Sequence, residues 1–315
     1  MSIIKTMTKK INIYFIIICL ILLSLITLGS IFDFEISKSL YLGQLPSDNF
    51  FGVLFAFIGI IPTFVGWSFL GASILCLTKT QNYSIKKRRC LIALAILLFV
   101  LSFFYFCNTL FLVNENAFYV HWAIAYPIGI IIILLASWLG YKLTKKSENP
   151  NLLKTILFLV LISIITMAIV MVSKEIMCRP RFRLLLTTDN DKLFINWWEN
   201  GGKLKDFLNL NAANDEFSSF PSGHSAYAMF AIILFPAMSD YLPKLKKYNW
   251  LLITLGFIWW LLTALSRITV GAHYLSDVCI AGLIPIIIYF ISYSIIKRKQ
   301  KNALWLKSIF YINYK

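Results

Sequence analysis

The chain has 315 residues, of which 59% are hydrophobic and 14% charged, and its mean hydropathy is +0.76. Soluble domains carry about 25% charged residues, so a soluble globular fold is excluded and an all-α, polytopic membrane helix bundle is expected. The formal charge of +16 would suit a nucleic acid, but the basic residues lie in short segments between apolar stretches, which points to the bilayer.

Apolar stretches of about 17–29 residues can each cross a hydrocarbon core about 30 Å thick. They fall at residues 11–32, 50–77, 91–113, 120–141, 155–173, 224–240, 249–266 and 276–296. The first follows Lys5, Lys9 and Lys10, but its apolar run is long and no small-residue cleavage pattern closes it. It reads as a retained anchor rather than a signal peptide. About eight spans put both termini on one side of the membrane. The segments on that side, 1–10, 78–90, 142–154, 241–248 and 297–315, hold 21 of the 30 Lys and Arg residues. The positive-inside rule makes that side the cytoplasm. The expectation is one membrane domain, 1–315, in the cell membrane, with both termini cytoplasmic and no nucleic acid partner.

Between the spans, the outer segment from Asp33 to Asn49 mixes apolar and polar residues and suits the membrane surface. The longest polar stretch is roughly 182–220, also outer. Its Trp197-Trp198 pair reads as an interfacial anchor, and its apolar-spaced Leu204, Phe207, Leu208 and Leu210 as a candidate lid. Asp33, Glu35 and the acids of 182–220 read as solvated charges, and the isolated His121 as an interfacial residue. The six cysteines are scattered without a CxxC pair, so neither a disulfide framework nor a zinc site is indicated.

The polar chemistry is concentrated in three separated places at the outer ends of expected spans. These are Lys174 with Arg179 and Arg181, then Pro221-Ser222-Gly223-His224, then Ser266-Arg267 with His273 and Asp277. Arginine grips phosphate oxygens in a planar fork and lysine acts as a point charge, which suits Lys174, Arg181 and Arg267. Ser222 and Gly223 stand just ahead of an apolar helix, where free backbone N–H groups favour an anion. His273 and Asp277 are four apart, on one face if both are helical, so the carboxylate could hold one ring nitrogen and leave the other free to attack.

Together these stretches resemble the signature of the phosphatidic acid phosphatase type 2 superfamily: Lys-x6-Arg-Pro, Pro-Ser-Gly-His and Ser-Arg-x5-His-x3-Asp. The resemblance covers residues 150–297 as a catalytic core, with 1–149 as additional N-terminal transmembrane helices. It implies an integral-membrane phosphatase acting at the outer face on a lipid phosphate or pyrophosphate, such as phosphatidate, phosphatidylglycerol phosphate or a polyprenyl pyrophosphate. It further implies that His273 forms a phosphohistidine, that His224 protonates the leaving oxygen and then activates water, and that no metal or other cofactor is required. Lys174, Arg181, Ser222, Gly223 and Arg267 would bind the phosphate.

The first motif departs from the family pattern, because Arg181 is followed by Phe182 while the Arg-Pro pair comes early, at Arg179-Pro180. A seven-residue step from Lys174 returns to the same helical face, favouring Arg181 and leaving Arg179 as an outer cation. Pro180 works against a helix that continues so far. Two competing functions share the residues: a phosphotransferase with another acceptor, and a non-catalytic lipid-phosphate transporter or binding protein. The motifs read the phosphate and not the tail, so they do not choose the lipid.

Overall fold

The computed structural model describes residues 9–45, 47–116, 122–202, 204 and 214–312, which form helices and turns without a strand. His121, Phe207, Leu208 and Leu210 lie outside the described residues. The helices are α1 (Lys9–Leu40), α2 (Phe50–Ile58), α3 (Ile61–Thr80), α4 (Ile85–Asn116), α5 (Trp122–Lys146) and α6 (Leu152–Met177). After them come α7 (Phe182–Thr187), α8 (Gly223–Met229), α9 (Ala231–Ala237), α10 (Asn249–Thr269) and α11 (Leu275–Ile312).

Seven stretches of described helix are long and apolar enough to cross a membrane. The expected span at 224–240 is not among them: α8 and α9, two short helices, stand in place of one long one. Gly223 starts this segment beside Val170 and Lys174, near the end of α6, while Asp240 ends it with a hydrogen bond from Thr155 Oγ1, 2.5 Å, near the start of α6. The segment therefore runs antiparallel to α6. Its 18 residues would rise about 27 Å as a helix, enough for the apolar core. The break falls at Phe230, and Pro236 lies in the last turn of α9. Broken backbone is tolerated at membrane depth only where protein shields it, and α8 and α9 are buried almost throughout.

Lipid tails are as apolar as leucine, so close packing and interhelical hydrogen bonds hold such a bundle, at roughly 0.6–2 kcal/mol per bond. Trp67 Nε1 of α3 donates to Ser163 Oγ of α6 at 2.9 Å. Ser102 Oγ of α4 donates to Phe64 O of α3 at 2.7 Å, and Thr63 Oγ1 donates to Tyr227 O of α8 at 2.8 Å. Large apolar side chains such as Leu20, Phe104, Leu134 and Trp138 remain exposed on the outside, where lipid would meet them.

Two outer segments differ from expectation. Residues 33–40 are not a separate surface segment: α1 continues through them past a kink at Phe32, with Asp33 and Ser37 buried while Glu35, Lys38, Ser39 and Leu40 stay exposed. The physical reason is a partner, since Asp33 meets a buried cation rather than water. The described part of 182–220 is a folded cap rather than a polar loop. Leu184, Leu185, Leu193 and Phe217 form its small core with Phe34 and Phe194. Trp197 ties it to α1 through a hydrogen bond to Ser30 Oγ, 2.9 Å, and stacks on Phe220, while Trp198 stays exposed.

Candidate active site

Residues from all three motifs meet at one end of the bundle around a cavity of about 440 Å³. Lys174, Arg181, Gly223, His224, Arg267 and His273 line it. Four cations, with Arg183 the fourth, face two carboxylates, Glu175 and Asp215, so the wall is electropositive. The rest of the lining is largely apolar and comes partly from the N-terminal spans, with Val53, Ala56 and Ile60 from the α2 region and Phe104 and Tyr105 from α4.

Each cation is aimed by a specific contact. Lys174, in the last turn of α6, donates to Ser218 O. Arg267 ends α10, where Nε donates to Ser266 Oγ at 3.1 Å and Nη2 to Gly52 O at 2.6 Å. Gly52 has a steric reason to be glycine, because a Cβ there would stand 2.6 Å from Val270 Cγ1. The missing side chain lets α2 press against the end of α10 and bring its carbonyl to the guanidinium. Arg181 pairs with Asp215 through Nη2 at 2.7 Å, and among the described residues its buried Nε has no partner. A buried unpaired donor on a cavity wall is what an anionic oxygen would satisfy.

The register question resolves in position. α6 stops at Met177, and Cys178 adopts a left-handed conformation at φ 46°, so Arg181 does not share a helical face with Lys174. Arg181 nevertheless lines the cavity, whereas Arg179 is buried behind it, 1% exposed. Arg183, the next cation along, is tied to Glu216 at 2.5 Å.

The two imidazoles have defined tautomers, because a carbonyl oxygen only accepts. His224 Nε2 must donate to Ala56 O at 3.0 Å, and His273 Nδ1 must donate to Ser219 O at 2.5 Å. Neutral His273 therefore keeps its lone pair on Nε2. His273 lies in the turn between α10 and α11, where Gly271 takes a positive φ of 66°. Burial, followed by Lys174, Arg181 and His224, pushes its pKa well below the usual imidazole range. At neutral pH the ring is therefore uncharged.

Asp277 does not hold His273 as expected. Its Oδ2 is 3.9 Å from His273 Nδ1, too long for a hydrogen bond. α11 begins only at Leu275, so the pair does not share one helical face. Instead Asp277 accepts from Ser219 Oγ at 2.5 Å, Tyr274 N at 3.0 Å and Arg179 Nη1 at 2.6 Å. It reaches the imidazole through Ser219, whose carbonyl takes the Nδ1 proton. Ser222 also departs from expectation: it is fully buried away from the cavity, and its Oγ caps α8 by accepting from Ser225 N at 3.4 Å. Ser219, Gly52, Ala56 and Asp33 are site-holding residues that spacing did not reveal, since three of them act partly or wholly through backbone carbonyls. Among the described residues no cluster of His, Cys, Asp and Glu is arranged to hold a metal ion.

Residues 155–301, somewhat less than half of the chain, match the model of the PAP2 superfamily. The chain is also similar to phosphatidylglycerophosphatase B of Haemophilus influenzae, with 31% identity over 87 residues. That alignment takes in 27% of this chain and 36% of the relative, so the chain spans little more than a third of the curated protein it matches. No solved structure matches the chain.

Proposed function

We propose that this chain is an integral-membrane phosphatase of the PAP2 superfamily that hydrolyses the phosphomonoester or pyrophosphate of a lipid through a phosphohistidine. The observation that carries this reading is the convergence of Lys174, Arg181, Arg267, His224 and His273 on one cavity with a partly apolar wall. A phosphate would sit among the cations while the lipid body follows the apolar side.

In the first step His224, having taken up a proton on Nδ1 as the anionic substrate binds, donates it to the leaving oxygen while His273 Nε2 attacks phosphorus and the bond to that oxygen breaks; Nε2–H of His224 stays on Ala56 O. Charge grows on the phosphoryl oxygens, and Lys174, Arg181 and Arg267 oppose it in a partly desolvated site. In the second step His224 takes a proton from water, the water oxygen bonds to phosphorus, and the P–N bond breaks to release phosphate and free His273. Proton donor, nucleophile and counter-charges are all supplied by side chains, so the reaction needs no metal or cofactor.

The site lies at the outer face in this reading. The basic segments 78–90, 142–154 and 241–248 gather at the other end: Ser147 Oγ donates to Asp240 O at 3.3 Å, and Tyr241 bonds Ser73 at 3.3 Å. Positive segments favour the cytoplasm, which leaves the cavity extracytoplasmic and both termini cytoplasmic.

The test is phosphate release by the purified full chain in detergent, with chelator, on phosphatidate, phosphatidylglycerol phosphate and a polyprenyl pyrophosphate. Release that disappears in His273→Ala is expected, and release without a lipid acceptor separates hydrolysis from phosphotransfer. Release that survives His273→Ala, or no release from any of the three, overturns the reading.

A further inference from the structure

Behind the cavity, with none of its members lining it, lies a buried charge chain whose first member belongs to α1, outside the segment that matches the family. Arg179 donates through Nη2 to Asp33 Oδ2 at 3.1 Å and through Nη1 to Asp277 Oδ1 at 2.6 Å. Asp33 Oδ1 accepts from Ser276 N at 2.9 Å, and Ser276 Oγ bridges, donating to Asp33 Oδ2 and accepting from Arg179 Nη1 at 3.0 Å. Arg179 Nε donates to Ile195 O at 2.9 Å, and the guanidinium lies 4.1 Å from the Tyr274 ring centroid and 5.6 Å from that of Phe194. Asp33, Arg179 and Asp277 are each 3% exposed or less.

We propose that Asp33 is a positioning residue for the reaction: it holds Arg179, and through Arg179, Asp277 and Ser219 it fixes both the orientation of His273 and the net charge beside it. The inference rests on His273 being the nucleophile.

Two physical effects point the same way. The first is geometric. Arg179 is a rigid fork, so an acceptor on Nη2 sets where Nη1 points, and Nη1 is the donor that anchors Asp277. Asp277 then anchors Ser219, and the Ser219 carbonyl takes the Nδ1 proton of His273. The second is electrostatic. Two carboxylates around one guanidinium leave a net negative charge. An imidazole gains positive charge as it attacks phosphorus, so a fixed negative charge behind it favours the transition state over the ground state. Without Asp33, Arg179 and Asp277 become a neutral pair and that bias is lost. Burial amplifies both effects, since little water screens the chain.

Asp33 does not line the cavity, so its loss should act on turnover rather than on substrate capture. The test compares wild type, His273→Ala, Asp33→Asn, Asp277→Asn and the Asp33→Asn/Asp277→Asn double variant of the full chain in detergent. Lipid phosphate hydrolysis is measured, with thermal midpoint and monodispersity as folding checks. Asp33→Asn is expected to lower kcat about 10- to 100-fold, the usual range for residues that orient a reacting group, with KM unchanged. In the Asp277→Asn background the same substitution is expected to add nothing, because both act along one chain. Full kcat in Asp33→Asn, a raised KM with kcat intact, or losses that multiply in the double variant would overturn the proposal. If Asp33→Asn does not give monodisperse protein, Ser276→Ala takes its place, removing the bridging hydroxyl. A several-fold fall in kcat at constant KM supports the chain, and an unchanged kcat refutes it. Activity that persists in His273→Ala would fault the nucleophile assignment, and the proposal would fall with it. Loss in His273→Ala but not in Asp33→Asn would fault the proposal alone.

Discussion

Gly223 offers a test that separates the substrate's needs from the protein's. A methyl group at 223 would meet Val170 Cγ1 at 3.7 Å, a Tyr227 ring carbon at 3.8 Å and Lys174 Cε at 3.9 Å, all ordinary contacts. Its φ does not demand glycine either, since the positive-φ glycines described are Gly43 and Gly271. Gly223 is also the first residue of α8, where alanine is favoured over glycine by up to about 1 kcal/mol in a helix interior and by less at its end. Gly223→Ala should therefore fold with unchanged or slightly raised stability. The cost appears only when phosphate approaches, because Gly223 lines the cavity between Lys174 and His224. A methyl there would push the phosphoryl group off line by on the order of 1 Å, and a misplacement of that size can cost about 10²-fold. The expected loss in kcat/KM is thus ~10- to 100-fold, or roughly 1.4–2.7 kcal/mol of transition-state stabilisation. Steady-state hydrolysis of the best lipid, alongside a thermal melt, reads both quantities. A variant with full kcat/KM would mean that phosphate does not approach backbone at 223. A variant that lost activity through a large fall in thermal midpoint would refute the steric reasoning instead.

Other substitutions divide the site further. Arg181→Ala should weaken substrate capture and turnover while the protein stays folded. Arg179→Ala should also cost stability, about 3–5 kcal/mol for a broken buried charge pair, so a thermal melt that ranks them the other way would reverse their roles. His273 carries a signature in pH. Its folded-state pKa lies well below the unfolded value because the ring is buried among cations. Its neutral form is therefore favoured on folding, and the unfolded chain binds more protons as pH falls below about 6.5. Stability should decline from pH 7 to 5, and the decline should be shallower in His273→Gln; parallel melting curves for the two proteins would contradict the depressed pKa. Gly52→Ala should disturb Arg267 without touching substrate, because the new Cβ meets the Asn49 side chain at 2.4 Å and Val270 Cγ1 at 2.6 Å, the second of which a smaller residue at 270 relieves. Impaired hydrolysis that a compensating Val270→Ala restores is the expected readout.

Much of this was legible in the sequence because the informative residues are costly where they sit. Lysine, arginine and histidine at the ends of apolar spans require a reason, and three such places at one membrane face required a common one. The spans were equally legible, since their length is set by the bilayer. The stretch 224–240 is not the single long helix expected: a break at Phe230 divides it into α8 and α9, which composition does not announce. The relation of His273 to Asp277 was misread because a spacing of four implies contact only within a helix, and α11 starts two residues after His273. Pro180 did carry the signal for the end of α6, which came before Arg179. Asp33 looked solvated because its partner lies 146 residues away, and a buried pair of that separation leaves no local pattern.

The larger gap concerns the N-terminal spans, and its cause is chemical. Gly52 O on Arg267 and Ala56 O on His224 are backbone acceptors, and any residue supplies a carbonyl. No side-chain motif encodes them. What the sequence must encode is the placement of α2, and it does so through small residues: Gly52 against Val270, and Gly59 against Thr263, where added Cβ atoms would stand 2.6 Å from α10-side atoms. Arg267 and His224, both in the family-matching segment, are thus aimed by the α2 segment that lies outside it, and a third contact, Asp33 on Arg179, comes from α1. The three motifs bring their polar groups to one place, and α1 and α2 supply acceptors for further donors on Arg179, Arg267 and His224. A buried donor left without such an acceptor would cost about 1–3 kcal/mol and would be free to swing away from the phosphate. The added N-terminal helices are therefore part of the site's geometry, and substitutions that loosen α2 should be felt in turnover even though α2 carries no group that reacts.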